Sequence, residues 1–339
     1  MTDKPYGTII AGDKERVLRA CEEFSQQPVD QEMISQSGDR KRSDRQITLG
    51  KAVSVSGSGT FFGHARRTLT FEPTANHGWW LDRSDLPGSM PIRVAVNNVW
   101  TTARNIVLCS GSPHNYIRMV EHIIALKAGM SLDNVIIRMD SGDPPLFDRS
   151  SMDLVEAVNE AGLIEQENKA IYVTVKEPVT IGGNNGSFLT FLPAEKESRE
   201  LLVDCAINFR SAIGKQRIRF TVDNDTFHHA ALARTNTTLG MMIYCKTIGK
   251  IFADVRNLGY TTKNISIAGP RHYFNKPSLM HNGKSLEAAW HRATLDLLAA
   301  VALIDRGRFA GKIISYKAGH SLDVQMIREL HKHNLLAKL

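Results

Sequence analysis

The stretch ITLGKAVSVSGSG, residues 47–59, decides how the fold is interpreted. Its apolar and polar residues alternate, as they do in strands that are buried on one face. A similar run, AIYVTVKEPVTIGG at 170–183, opens the second half of the chain. Segments with helical spacing follow each run, namely 116–130 and 285–304. Strands followed by helices, twice over, predict an α+β fold with two similar α+β domains that meet face to face.

The polar segment LIEQENKA, residues 163–170, marks the expected join between the two domains. We place the first domain at 45–168 and the second at 169–339, and we interpret their likeness as an internal duplication. Residues 1–44 are polar and mixed in charge. They are expected to form a flexible N-terminal extension with one short helix at 14–24.

Composition limits the classes of protein to consider. The chain has 339 residues, 42% of them hydrophobic and 23% charged, as in ordinary globular proteins. A net charge of +7 favours an anionic partner, but no dense run of Lys and Arg occurs, so no nucleic acid is expected. The four cysteines form no CxxC pair, which predicts free thiols. Without a signal pattern or a long apolar run, a cytoplasmic location is expected.

Three patches contain residue types that can perform hydrolysis. They are Glu121 with His122, His291 with Asp296, and Lys317 with His320. Histidines and a carboxylate can form an open zinc site, and a neighbouring glutamate can act as a general base on water. Each patch also has a simpler structural interpretation. A lone histidine is usually a hydrogen-bonded structural residue, and a Gly-His pair at a helix start is often only a cap.

The spacing of His291 and Asp296 is unusual for a pair of ligands. Residues four apart on an α-helix lie roughly 40° from each other, while residues five apart lie roughly 140° apart. These two residues are five apart. The carboxylate therefore faces the histidine only if the helix is locally distorted.

The patches, taken in order, resemble the UDP-3-O-acyl-N-acetylglucosamine deacetylases, the zinc enzymes of lipid A synthesis. The resemblance rests on VEH at 120–122, HRATLD at 291–296 and KAGH at 317–320. Supporting segments lie between and before these motifs. They are GSGTFFG, GMSLDNVIIRMDSGDPPLFDRSS, INFRSAIGKQR and ALART. Together they cover roughly 45–335.

This resemblance implies a role for each matching residue. The zinc (Zn2+) ligands would be His122, His291 and Asp296. Glu121 would be the general base, and His320 would act as the acid or as an electrostatic partner to the leaving amine. Contacts to the substrate would come from Lys317, Arg292 and Phe209, with Lys317 on a phosphate.

The resemblance also implies an architecture and a substrate. The fold would be a sandwich of two α+β domains with the site at their junction. The segment 236–268 would be the insert that lines an acyl tunnel. The substrate would be an acylated UDP-amino sugar, and a peripheral contact with the inner membrane is expected as well. The sequence identifies no protein partner.

Several departures from the family pattern leave alternatives open. The family has HxxxD where this chain has HxxxxD. Either a π-bulge accommodates one extra residue, or Leu295 takes the ligand position and the carboxylate is lost. Ala300, Ala206 and Phe61 replace an acid, an oxyanion-hole threonine and a histidine of the family. A non-catalytic relative that binds a sugar nucleotide or a protein, and an unrelated α+β binding protein, are therefore alternatives.

Overall fold

The computed structural model describes residues 6–35, 43–195, 198–251, 257–305 and 307–339. The helices and strands mix along the chain, as expected for an α+β protein. In these ranges the α-helices are Lys14–Ser25 (α1), Glu121–Gly129 (α2), Met152–Ala161 (α3), Asn224–Ala230 (α4), Leu239–Lys246 (α5), Glu287–Trp290 (α6), Leu297–Ala302 (α7) and His320–Lys332 (α8). Two 3-10 helices, Val96–Asn98 and Ile248–Lys250, and a π-helix, His291–Asp296, complete the helical elements of these ranges.

The strands before the expected join are Thr8–Ala11 (β1), Gln31–Met33 (β2), Arg45–Leu49 (β3), Val53–Gly59 (β4), Arg66–Pro73 (β5), Trp79–Arg83 (β6), Ile92–Arg93 (β7), Val99–Thr101 (β8), Val107–Cys109 (β9), Tyr116–Ile117 (β10), Val135–Met139 (β11), Pro145–Leu146 (β12) and Leu163–Lys169 (β13). The later strands are Tyr172–Val175 (β14), Val179–Gly182 (β15), Phe188–Leu192 (β16), Leu201–Asn208 (β17), Lys215–Thr221 (β18), Thr235–Thr237 (β19), Ile265–Ile267 (β20), Met280–His281 (β21), Lys284–Ser285 (β22), Arg308–Phe309 (β23), Gly311–Tyr316 (β24) and Leu336–Lys338 (β25).

Two large sheets dominate the architecture. One has six strands in the order β12-β4-β5-β11-β6-β7, and the other has seven in the order β1-β15-β16-β24-β17-β18-β2. Smaller sheets are β10-β9-β8, β13-β3, β23-β14-β25, β19-β20 and β21-β22. Within the six-stranded sheet, β6 and β11 alternate in burial, whereas β4 is half-buried over most of its length and does not show the alternation that its sequence predicts. The strand β16 is buried along almost its whole length, because helices cover both faces of its sheet.

The expectation of a flexible N-terminal extension is wrong for residues 6–35. The strand β1 pairs in parallel with β15, and β2 pairs in parallel with β18, so this segment supplies both edges of the seven-stranded sheet. Between them, α1 confirms the helix predicted at 14–24 and buries four side chains at helical spacing, Val17, Ala20, Cys21 and Phe24. The part of the expectation that concerns residues 1–5 and 36–42 lies outside the described residues.

The helix α1 approaches the sheet closely. A Cβ atom on Gly182 would lie 2.1 Å from a methyl group of Val17, so only glycine leaves room for the helix there. The carboxylate of Asp13 caps the first turn of α1 by accepting from the backbone N–H of Arg16.

Helices of the two halves of the chain contact each other directly. From the first half, α2 packs against α7 and against the π-helix of the second half, and α7 packs against α8. One continuous hydrophobic core runs from Leu49 to Leu330. These contacts place the beginnings of α2 and α8 beside the π-helix.

Other predicted elements match or differ in detail. The helix expected within 116–130 is confirmed as Glu121–Gly129, although Tyr116–Ile117 forms a strand before it. Residues 92–101 form two short strands, β7 and β8, on either side of a 3-10 turn. A 3-10 turn occupies Ile248–Lys250, and residues 252–256 lie outside the described residues. No helix within the described ranges is long and apolar enough to cross a membrane.

Candidate active site

The π-helix explains the five-residue spacing. A π-helix bonds residue i to residue i+5, so residues five apart lie one turn from each other. His291 and Asp296 are the first and last residues of this π-helix, and His291 Nδ1 lies 3.6 Å from Asp296 Oδ1. The hydroxyl of Thr294 donates to the carbonyl oxygen of Trp290, which competes with the α-helical hydrogen bond at that turn. Of the two alternatives left open by the sequence, the π-bulge is the one present, and Leu295 is buried in the core.

Two histidines from different helices face each other at the centre of the site. The Nε2 atoms of His122, on α2, and His291 lie 3.3 Å apart. The hydroxyl of Thr235, the first residue of β19, lies 3.0 Å from Nε2 of His291 and 3.3 Å from Nε2 of His122. The hydroxyl of Ser151 lies 3.2 Å from Nδ1 of His122. Burial and the neighbouring His291 lower the pKa of His122 to about 3, so its ring is neutral at pH 7.

A second cluster contains two carboxylates on either side of one imidazole. His320 Nε2 lies 3.6 Å from Glu121 Oε1 and 3.7 Å from Asp296 Oδ1. Burial raises the pKa of Glu121, although His320 opposes this effect. Burial also disfavours a charge on His320, but Asp296 and Glu121 outweigh it and raise the pKa of His320. The site therefore contains two groups with raised pKa values side by side, the carboxyl group of Glu121 and the imidazole of His320.

The carboxyl group of Asp296 stays ionised. Burial alone would raise its pKa, but the neighbouring His320 and His291 outweigh burial and lower the pKa well below its usual range. An ionised carboxylate and neutral imidazoles are the protonation states in which these groups bind metals.

Two buried polar atoms at the site have no hydrogen-bond partner among the described residues. They are Oε2 of Glu121 and Nδ1 of His320. The other carboxylate oxygen of Glu121 accepts from the backbone N–H of Ile106. Because buried polar atoms are normally paired, these two indicate a place for a ligand or water between the helices.

The residues suit zinc in their chemistry. Two nitrogen ligands on a tetrahedral zinc ion lie about 3.3 Å apart, which is the separation of the two Nε2 atoms. Asp296 could supply an oxygen, but its carboxylate lies beside Nδ1 of His291. Across the described ranges, no group of three or more His, Cys, Asp or Glu side chains is arranged around one point as metal ligands are. His122 and His291 are therefore separated as two zinc ligands would be, and Asp296, the third expected ligand, lies next to His291.

The residues expected to bind substrate lie in different surroundings. Arg292 is buried, and its guanidinium pairs with both carboxylate oxygens of Asp323 and donates to the carbonyl oxygen of Ala318 at 2.9 Å. Lys317, which directly follows β24, donates to Glu23 of α1. Phe209 follows β17 and is 43% exposed. Arg292 thus fixes the turn before α8. The ring of Phe209 and the ammonium group of Lys317 lie nearer the surface.

The positions that depart from the family pattern are filled by packed side chains. Phe61 is buried, and the guanidinium of Arg118 lies 4.5 Å from its ring centre. Ala206, on β17, packs under α1, and Ala300 is buried in α7.

Ser151 and Thr235 are the contacts of the two histidines that the sequence reasoning did not single out. Both lie in segments already quoted for the resemblance, because Ser151 ends LFDRSS and Thr235 ends ALART. The hydroxyl residue at the end of each of these two segments is the sequence feature from which the contact could have been predicted. Asp323, the partner of Arg292, was likewise missed.

Comparison with known proteins agrees with this geometry. The model of the UDP-3-O-acyl N-acetylglycosamine deacetylase family matches residues 46–332. The chain is 26% identical over 288 residues to proteins named UDP-3-O-acyl-N-acetylglucosamine deacetylase from Brucella ovis and Brucella melitensis biotype 2, and each match covers 84% of this chain and 94% of the relative. The match excludes an unrelated α+β protein with chance motifs. The chain belongs to the UDP-3-O-acyl N-acetylglycosamine deacetylase family.

Proposed function

We propose that this protein is a zinc-dependent deacetylase that hydrolyses the N-acetyl amide of an acylated UDP-amino sugar, as in lipid A biosynthesis. The observation that carries the proposal is the arrangement of Glu121 and His320 beside the two facing histidines. The Nε2 atom of His320 lies 3.6 Å from Glu121, and each of these two residues has a buried polar atom without a partner among the described residues.

In the proposed reaction, Glu121 and His320 move protons in opposite directions. Glu121 accepts a proton from the attacking water, and the water oxygen forms a bond to the amide carbon. His320 donates its proton to the amide nitrogen as the C–N bond breaks, which gives acetate and the free amine. The increased pKa values of both groups suit these roles, because a base must hold the proton it takes and an acid must carry one at neutral pH.

The proposed zinc ligands are His122, His291 and Asp296. When bound, zinc would supply Lewis-acid polarisation of the amide carbonyl and would lower the pKa of water. Ser151 would orient His122 through its Nδ1 atom, at 3.2 Å. The pairing with Asp323 would make Arg292 a residue that positions the turn before α8, and the substrate contact predicted for it remains a prediction.

The remaining substrate contacts follow the family pattern. Lys317 is proposed to contact the diphosphate, and Phe209 the substrate beside it. The insert at 236–268 is proposed to receive the acyl chain. This is supported by the exposed apolar side chains of its described part, Leu239, Met241, Ile243 and Ile248. Two packed α+β domains and a peripheral contact with the inner membrane remain predictions.

The test is the release of acetate from UDP-3-O-acyl-N-acetylglucosamine by the zinc-loaded protein. Glu121→Gln and His320→Ala should each lower kcat by roughly 10²- to 10⁴-fold, the usual contribution of a general acid or base. Glu160→Gln, which changes an exposed carboxylate paired with Lys51, is the control and should leave kcat unchanged. Turnover that survives both active-site substitutions would refute the assigned roles.

A second candidate is a non-catalytic relative that binds a sugar nucleotide or a protein. It is favoured by Ala206 and Ala300, two buried apolar residues where the family has an oxyanion-hole threonine and an acid. Loss of one oxyanion donor typically lowers the rate by about 10²- to 10³-fold. Tight binding of UDP without any release of acetate from the zinc-loaded protein would favour this candidate over the deacetylase.

A further inference from the structure

The helix α1 brings an acidic residue to the candidate active site. The family model begins at residue 46, so α1 lies in a segment outside the match. Near its end, the carboxylate of Glu23 contacts Tyr316, the last residue of β24, and Lys317, which begins the turn that leads to His320. One carboxylate oxygen, Oε2, accepts from the hydroxyl of Tyr316 at 3.0 Å and from Nζ of Lys317 at 3.1 Å.

The ammonium group of Lys317 also contacts an aromatic ring of its own chain. It lies 4.6 Å from the ring centre of Tyr316, and its backbone has a positive φ of 49°. Hydrogen bonds from Lys317 and Tyr316 lower the pKa of Glu23, with a further contribution from Lys215. The carboxylate is therefore ionised at neutral pH, and the lysine that the proposed function assigns to the diphosphate is paired with an anion of the same chain.

The backbone that carries Glu23 is firmly attached to the sheet. The next residue, Phe24, is buried and makes edge-to-face contacts with Phe188 and Tyr316 at 5.6 and 5.9 Å. The guanidinium of Arg217 lies 3.9 Å from the ring centre of Phe24 and donates to the carbonyl oxygen of the same residue. Glu23 itself has a side chain that is 57% exposed. The base of the side chain is thus fixed while its carboxylate can turn away into solvent.

We propose that Glu23 limits the affinity of the site for the anionic part of its substrate by competing with it for Lys317. This inference rests on the proposed function, since it takes Lys317 as the contact to the diphosphate. A diphosphate that reaches Lys317 must displace the carboxylate or lie beside it, and both reduce the affinity for a negatively charged group. Glu23 would act as a determinant of specificity supplied by the N-terminal segment.

Binding of UDP by isothermal titration calorimetry tests this proposal. Glu23→Gln keeps the size of the side chain and an oxygen that can accept from Tyr316, but it removes the charge. We expect it to bind UDP roughly two- to fivefold more tightly than the wild type, the effect of one exposed ion pair. Glu22→Gln makes the same change in charge at the neighbouring exposed position and should alter the affinity by less than about half of that.

Variants of Lys317 separate the role of Glu23 from the role of the diphosphate contact. Lys317→Met should weaken binding of UDP, and the double variant with Glu23→Gln should show no gain over Lys317→Met alone. If the wild type binds UDP but Glu23→Gln binds it equally or more weakly, the inference is overturned while the proposed function stands. If neither the wild type nor Glu23→Gln binds UDP, the proposed substrate is wrong and the inference fails with it.

Discussion

The hydroxyl of Ser151 is a small group with a large expected effect. It lies 3.2 Å from Nδ1 of His122 and 3.3 Å from the carbonyl oxygen of the same residue. An Nδ1–H that donates to Ser151 leaves the lone pair of Nε2 directed at His291. Partners of this kind typically contribute 10- to 100-fold to metal affinity. We predict that Ser151→Ala weakens zinc binding by about that factor, measured by competition with a chelator.

The control for this prediction is another serine whose hydroxyl donates to a backbone carbonyl oxygen but does not contact either histidine. Ser84 donates to the carbonyl oxygen of Met139 at 3.0 Å. Ser84→Ala should leave the zinc affinity unchanged. Equal affinities of Ser151→Ala and wild type would mean that Ser151 does not orient His122.

At the scale of elements, the π-helix marks the limit of what the sequence could predict at the site. The spacing of His291 and Asp296 indicated a distortion, but it was equally compatible with Leu295 in the ligand position. Burial decided between them, because Leu295 contributes to a continuous core that includes residues far away in the chain. A local sequence pattern does not specify contacts with distant residues. The motif at 291–296 could therefore be recognised in the sequence, but the direction of its side chains could not be predicted.

The N-terminal segment shows a second limit. The amphipathic helix α1 could be predicted from its spacing, but its role in the fold could not. The strands β1 and β2 have only four and three residues, and their partners lie more than a hundred residues away. Short edge strands carry little signal of their own, since their stability comes from pairing with a sheet that the rest of the chain forms.

If α1 is an integral part of the fold, removing its main anchor must destabilise the protein. Phe24 is 2% exposed, and we predict that Phe24→Ala lowers the free energy of unfolding by about 3–5 kcal/mol in urea denaturation. On the same helix, Leu18 is 46% exposed, and Leu18→Ala should change it by about 0.5 kcal/mol or less. A similarly small effect for Phe24→Ala would mean that α1 folds separately from the sheet.

The helix α5 offers a test of the acyl-chain proposal. Ile243 is 54% exposed on this helix, so a substitution there should not disturb a core. A carboxylate in an apolar groove disfavours a hydrocarbon chain. We predict that Ile243→Glu raises KM for a long-chain substrate by at least about tenfold and leaves KM for a short-chain analogue unchanged.

A comparable residue elsewhere controls for a general effect of the added charge. Ile164, on β13, is 49% exposed, and Ile164→Glu should alter KM for neither substrate. Equal KM values of Ile243→Glu and wild type across chain lengths would place the acyl chain elsewhere.

For the whole molecule, Lys127 links the two halves of the chain. From α2, its ammonium group donates to the carbonyl oxygens of Ala302 and Ile304, at the end of α7. Burial lowers its pKa to about 8, although Asp305 and Asp133 oppose this. Between pH 8 and the unfolded-state value of 10.5, the unfolded chain binds more protons than the folded chain. The stability contribution of Lys127 therefore rises as the pH increases from 8 to 10.5, and it is lost again as the pH falls from 10.5 to 8.

We predict that the free energy of unfolding of the wild type rises between pH 8 and 10.5 relative to Lys127→Met. The difference should grow by up to about 1.4 kcal/mol per pH unit, measured by urea denaturation at several pH values. Parallel pH profiles of the two proteins would mean that the pKa of Lys127 is ordinary.

The class of the fold could be predicted from alternation and helical spacing, whereas the way the halves meet could not. The contact of α2 with α7 joins residues about 175 positions apart, and no local pattern specifies it. The boundary near residue 168 and the likeness of the two halves remain predictions. The three motifs could be found because each is local, and the fold brings them together at the beginnings of α2, the π-helix and α8.

We propose that His122, His291 and Asp296 together hold zinc. The most direct measurement is elemental analysis of zinc in the purified, reconstituted wild type and in His291→Ala and Asp296→Ala. We predict about one zinc ion per chain in the wild type and its loss in both variants. A full zinc content in Asp296→Ala would contradict the proposed ligand set, and a wild type without zinc after reconstitution would contradict the zinc site itself.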